Sequence, residues 1–179
     1  SASAVLDPQR EDCSYPYKGL SGCGVGFKLL QGFCIQNDIP QDDLFLNLDL
    51  LCISIGADIV PITGENRVLA YFGLKEINKM GRTGIAALLK QSKFSKRELD
   101  ITDVVFILAP RINAAGRLKS ARDAVKLLIA PDIESAGILS QEIEEINTNR
   151  KEIDRAIVTE ALVMVEENDW FKKSMSTVL

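Results

Sequence analysis

The sequence predicts a predominantly α-helical chain, with at most short strands at its ends and one long connecting helix. Apolar residues return every three or four positions in segment after segment, and helix-start and helix-stop residues separate those segments. No proline follows Pro131, so residues from Asp132 to about 168 read as a single uninterrupted helix. Only two short apolar runs, Ala4–Leu6 and Ser176–Leu179, have the look of strands, and both lie at chain ends.

The elements follow in order. Ala4–Leu6 stops at Asp7-Pro8, and Tyr15-Pro16-Tyr17 is a turn or extended stretch because proline disfavours helix in the residue before it. Ser21 is a good N-cap for a helix reaching about Gln36, with Val25, Leu29 and Phe33 at helical spacing. Gln41 to Asp58 reads as a second helix. Leu44, Leu48, Leu51 and Ile55 form its buried stripe, and Asp42 and Asp43 suit its positive N-terminal end. A third helix starts after Thr63-Gly64 and ends near Met80-Gly81. Gly84 to Lys90, Ile101 to Leu108 and Ala121 to Ile129 are shorter ones, the last stopped by Ala130-Pro131. The final helix carries Ala136, Leu139, Ile143, Ile146, Ile153 and Ile157 on one stripe, interrupted at Arg150. At 1.5 Å per residue it would be roughly 55 Å long, a length suited to bridging two bodies or to a coiled coil.

Composition narrows the function classes. With 179 residues, 46% hydrophobic and 26% charged, the chain fits one ordinary domain or parts of two. No apolar run approaches the roughly 20 residues that span a bilayer, and no basic-then-apolar leader opens the chain, so a cytoplasmic protein is expected. Cys13, Cys23, Cys34 and Cys52 contain no C-x-x-C pair, which points to reduced thiols rather than a zinc site or disulfide framework. Histidine is absent. That removes the commonest general base and any histidine-containing triad, leaving carboxylates, a metal or a partner segment to carry chemistry. The net charge of −4 hides a split. Residues 61–126 hold 13 basic and six acidic side chains, and residues 132–169 hold three basic and 11 acidic. A basic middle beside an acidic helix suits a phosphate-facing body with a solvated strut, although two ordinary solvated faces would read the same way.

Two places could carry chemistry. Residues 110–118, PRINAAGRL, follow the apolar run Val104–Leu108 and present Arg111, Asn113, Gly116 and Arg117 in what reads as a compact anion-binding turn. Guanidinium forks match phosphate oxygens in pairs, and small neighbours let a strand come close. The alternative is a helix stop whose arginines pair with nearby carboxylates. Asp58, at the end of an apolar helix and before Val60-Pro61, is placed to offer a hard oxygen to Mg²⁺ or Mn²⁺, or merely to cap the next element.

Three stretches carry a resemblance: YPYKGLSGCGVGFKLLQ (15–31), GADIVPITGENR (56–67) and APRINAAGRLKSARDAVKLLI (109–129). In this order and spacing the chain resembles the RecJ-type single-stranded-DNA-specific exonucleases of the DHH phosphoesterase superfamily. The resemblance implies an α/β parent fold of which this chain is an internal, mostly helical piece. Residues 1–116 would be the rear of the catalytic DHH domain, residues 117–170 the connecting helices, and residues 171–179 the start of a truncated DHHA1 domain. It implies a two-metal phosphodiesterase using Mn²⁺ or Mg²⁺, with Asp58 as one metal ligand, Arg111 as a catalytic and substrate-binding residue, and Asn113 and Arg117 as substrate-binding residues. One carboxylate is too few to hold a metal pair, so the piece alone is expected to be inactive. Digestion from the 5′ end of single-stranded DNA in recombination and repair is implied for a monomeric parent. Single-strand-binding protein and a RecQ-type helicase are implied as partners, and no membrane. Alternatives are another DHH-family enzyme of nanoRNase or cyclic-dinucleotide type, or a non-enzymatic helical interaction module.

Overall fold

The computed structural model describes residues 4–118 and 120–167, the side chains of 117 and 118 excepted. Among them there are helices and connecting loops and no strand. The short strand expected at Ala4–Leu6 is therefore replaced by extended chain, because a strand needs a hydrogen-bonded neighbour and none of the described segments offers one. The strand expected at Ser176–Leu179 and the domain start expected at 171–179 lie outside the described residues.

Local chemistry explains most helix ends. Ser21 caps α1 (Gly22–Gln36), its hydroxyl accepting from the Gly24 amide at 3.1 Å. Asp38 takes a left-handed φ of 54° after it, and the Ile39 amide reaches back to the Cys34 carbonyl at 2.9 Å. The single helix expected from 41 to 58 is two, α2 (Asp42–Phe45) and α3 (Leu48–Ala57). The break has a chemical cause: the Asn47 side chain donates to the Asp43 carbonyl at 3.0 Å, so an amide side chain takes the place of the helical N–H. α4 (Gly64–Asn78) and α5 (Thr83–Gln91) follow. Asp100 and Asp103 form a reciprocal capping box at the start of α6 (Ile101–Asp103).

The chain then stays helical where a turn was expected. A wide π-type turn at Val104–Leu108 runs directly into α7 (Ala109–Leu118), so PRINAAGRL is helix and not loop. Proline inside an α-helix loses a hydrogen bond and drives its ring against the carbonyl four residues back. Here the Ala109 amide bonds the Val104 carbonyl, five residues back, and this widened turn accommodates Pro110 without a break. Ser120 caps α8 (Ala121–Leu128), and Asp132 caps α9 (Ile133–Glu167) by accepting from the Ser135 amide at 2.8 Å. At 35 residues, α9 is about 52 Å long.

α3 is the central element. Leu51, Cys52, Ile53 and Ile55 on it are all buried, which makes it apolar on every side, as a helix enclosed by others must be. α4 crosses it so closely that a Cβ added at Gly73 would stand 2.3 Å from the Leu48 carbonyl oxygen. α5, α7 and α8 pack together on the first half of α9, which buries Ala136, Ser140, Ile143 and Asn147. From 151 to 160 every residue of α9 is exposed, including Ile153 and Ile157 of the expected stripe. The stripe expected on α1 is also open: Leu29 and Phe33 face a surface groove, while Gly24 and Phe27 are the buried positions. Each face has helical periodicity, but burial needs a partner that the described residues do not supply.

Candidate functional site

The structure stitches together the first two of the three marked stretches. The Tyr15 hydroxyl donates to Glu65 at 2.6 Å, and Lys28 pairs with the same carboxylate at 3.1 Å. The Tyr17 hydroxyl donates to the Pro61 carbonyl at 3.1 Å. Asn66, fully buried, gives its amide hydrogens to the carbonyls of Gly19 and Pro61 at 2.6 and 3.0 Å. Burial and the Glu65 hydrogen bond push the Tyr15 phenol up to about 12. Gly64, with a φ of 49°, lies against the Tyr17 ring, where a Cβ would stand 2.8 Å from ring carbon. That left-handed conformation and close approach both require glycine.

This strapping holds the corner that contains Asp58. Asp58 ends α3, with its amide bonded to the Ser54 carbonyl at 2.9 Å. The Ser54 hydroxyl lies 3.1 Å from Asp58 Oδ2 and 2.9 Å from Ser21 Oγ, which links the carboxylate to the start of α1. Cys23 lies close enough for burial first, and then the Asp58 charge, to push its thiol pKa upward. Ile59, next in the chain, has a φ of 51°, a costly conformation for a β-branched residue, and its side chain is exposed. The Asp58 carboxylate is also exposed. It supplies one hard oxygen donor, and among the described residues no three His, Cys, Asp or Glu side chains converge to hold a metal ion. The donors present do not make a two-metal site by themselves.

The third stretch meets this corner across a cavity of about 220 Å³. Gly56, Ala57 and Ile59 form one wall, Pro110 and Asn113 of α7 another, and Arg150 of α9 a third. Asp58 thus lies between two wall residues, and Asn113, one of the expected substrate-binding residues, faces the same space. Arg117 belongs to α7, but its side chain lies outside the described residues.

Arg111 is placed otherwise than expected. It is 7% exposed, and its Nε and Nη2 grip both carboxylate oxygens of Glu144 on α9. Nη1 donates to the Ile107 carbonyl at 2.8 Å. With three of its five N–H donors engaged inside the protein and the residue almost wholly buried, Arg111 ties α7 to α9 and does not line the cavity. The sequence offered this pairing as its alternative for the arginines, but not the helix that carries it. Arg150 was missed. It was read as an interruption of an apolar stripe, whereas a charged residue on the packed side of a helix is itself the signal.

No protein-family model matches this chain. The single-stranded-DNA-specific exonuclease RecJ of Salmonella typhimurium is 36% identical over 176 residues, covering 93% of this chain and 30% of that protein. A crystal structure of RecJ in complex with Mg²⁺ from Thermus thermophilus superposes with a TM-score of 0.72 at 30% identity, over 82% of this chain and 23% of that one. A structure of exonuclease RecJ bound to manganese gives 0.74 at 30% identity, over 84% and 38%. Among the described residues, no helix is long and apolar enough to cross a membrane. In sequence and in fold the chain therefore groups with the RecJ-type single-stranded-DNA-specific exonucleases, as a segment that spans 23% to 38% of the length of these matches.

Proposed function

We propose that this chain is part of a metal-dependent exonuclease that hydrolyses phosphodiester bonds of single-stranded DNA. The observation that supports it best is the convergence of three distant stretches on one corner. Asp58 there sits between wall residues of a cavity that Asn113 also lines. Asp58 serves as one ligand of a divalent-metal site whose remaining donors come from outside residues 1–179. Mg²⁺ and Mn²⁺ are the ions named with the related RecJ structures, and both favour carboxylate oxygen. When bound, such a metal supplies Lewis-acid activation of water and of the phosphate.

The residues of this chain have their own tasks. Asn113 faces the strand, and Arg117 of the same helix adds a cationic contact. Arg111 acts as a positioning residue: by gripping Glu144 it fixes the helix on which Asn113 stands. The Tyr17 and Asn66 straps fix the loop after Asp58. Residues 1–116 belong to the catalytic body and 117–170 to the connecting helices, although α7 runs unbroken across that boundary. Attack from the 5′ end, a role in recombination and repair in the cytoplasm, and single-strand-binding protein and a RecQ-type helicase as partners complete the proposal.

The test is release of nucleotides from single-stranded DNA, with Mn²⁺ or Mg²⁺, by the full polypeptide that carries this segment. Asp58→Ala should lower the rate by at least about 100-fold, since even a group that only supports a metal ligand is worth roughly 10- to 100-fold. A rate within about threefold of the unmutated enzyme removes Asp58 from the metal site.

A further inference from the structure

The described arginines on packed surfaces fall into two kinds. Arg82 reaches both carboxylate oxygens of Asp49 at 2.6 and 3.1 Å, together with Asn47 and the Leu128 carbonyl. Arg111 has its fork filled by Glu144. Arg150 differs. It continues the packed stripe Ala136, Ser140, Ile143, Asn147 along α9, yet its buried Nε has no hydrogen-bond partner. Among the described residues its carboxylate contact is Nη1 to Asp154 at 3.0 Å, an i,i+4 pair whose acid side chain is 57% exposed. Pairs of that kind are weak and are readily exchanged for a better partner. The fully buried Asn147, one turn earlier on the same stripe, also has both side-chain amide atoms unpartnered. Donors left unsatisfied on a packed face are costly unless something binds them.

We propose that Arg150 binds a backbone phosphate of single-stranded DNA in the cavity it shares with Asn113. The assignment rests on the nucleic-acid reading above and adds to it the residue on α9 that supplies the charge. At about 220 Å³ the cavity is below the roughly 300–1,000 Å³ of sites for whole small molecules, so it suits one charged group rather than a base. A guanidinium offers a phosphate two parallel donors, and the neutral Asn113 amide across the cavity adds a donor without adding charge. Asp154 is then the competitor, holding one edge of the arginine until a phosphate takes it.

Fluorescence anisotropy of a labelled twelve-residue oligothymidylate with the 179-residue chain tests this, using Arg150→Gln, Arg150→Lys and Asp154→Asn. Arg150→Gln should weaken binding by about tenfold and lower the salt slope by about one. Arg150→Lys should recover part of the loss, keeping charge without the fork. Asp154→Asn should tighten binding by about twofold or more with Arg150 present and by less in the Arg150→Gln background, a coupling that loss of charge repulsion alone would not produce. Circular dichroism melting establishes that each variant is folded. Inorganic phosphate that competes at millimolar concentration identifies the bound group as phosphate alone, while competition only by the oligonucleotide assigns it to the strand backbone. Either result supports an anion site at Arg150, but only the second supports the DNA assignment. Unchanged affinity and salt slope in Arg150→Gln overturn the proposal, as does absence of oligonucleotide binding by the unmutated chain. Neither touches the Asp58 hydrolysis test, so the exonuclease reading stands or falls separately.

Discussion

Replacing Arg111 by methionine decides whether that residue braces the fold or reads the strand. In the structure its guanidinium makes three hydrogen bonds, two to Glu144 and one to the Ile107 carbonyl, with the residue only 7% exposed. Hydrogen bonds involving a charged group contribute about 1.5–3 kcal/mol each, and orphaning one member of a buried pair costs about 3–5 kcal/mol. Glu144 keeps 21% of its side chain exposed, so water can recover part of the lost solvation of its carboxylate. The low end, about 3 kcal/mol, therefore applies. For a chain of this size that is a fall in melting temperature of about 6–12 °C. Adding Glu144→Leu should restore much of the loss, because the unpaired charge goes and apolar volume replaces it. The assay is thermal and urea denaturation followed by circular dichroism, with the two single variants and the double variant closing a cycle. Suppose Arg111→Met melts within about 2 °C of the unmutated chain and yet abolishes oligonucleotide binding. The bracing role would then be refuted and Arg111 would belong to the strand.

Two further perturbations probe the packing and the strapped corner. Gly73→Ala should cost about 2–3 kcal/mol, since its Cβ would stand 2.3 Å from a carbonyl oxygen that cannot move without separating α3 from α4. Gly26→Ala, exposed on α1 with nothing within 4 Å, should instead gain about 0.5–1 kcal/mol. Urea midpoints that move in the same direction would refute the close crossing. Tyr15 should ionise near 12, followed as the phenolate absorbance that Tyr15→Phe removes. Because folding raises this pKa above its ordinary 10, the neutral phenol stabilises the fold fully below pH 10. That contribution is lost as pH rises from 10 through about 12, and Tyr15→Phe should flatten this limb. A Tyr15 phenolate that forms near the ordinary 10 would rule out the part-buried Tyr15–Glu65 contact.

Features that depend only on neighbours in the chain are legible in the residues themselves. Ser21 caps its helix where expected, because a side chain three residues from an amide needs only local geometry, and Ser120 and Asp132, which the sequence reading did not single out, cap by the same local rule. The stripe Leu48, Leu51, Ile55 was legible for the same reason, as was the long final helix. The three marked stretches were also visible as strings, but not the Tyr15–Glu65 and Asn66–Gly19 contacts that join the first to the second. Tertiary structure alone decided the remainder. Pro110 stops a helix by local rules and does not stop this one, because a widened turn packed against α3 takes up the strain. Arg111 met Glu144 rather than solvent because α9 passes beside α7, a partner 33 residues distant that no local pattern shows. Arg150 reached the Asp58 corner by the same passage. Periodicity gives a helix its faces, but which face is covered, and which charge is left without a partner, depends on the element that packs there.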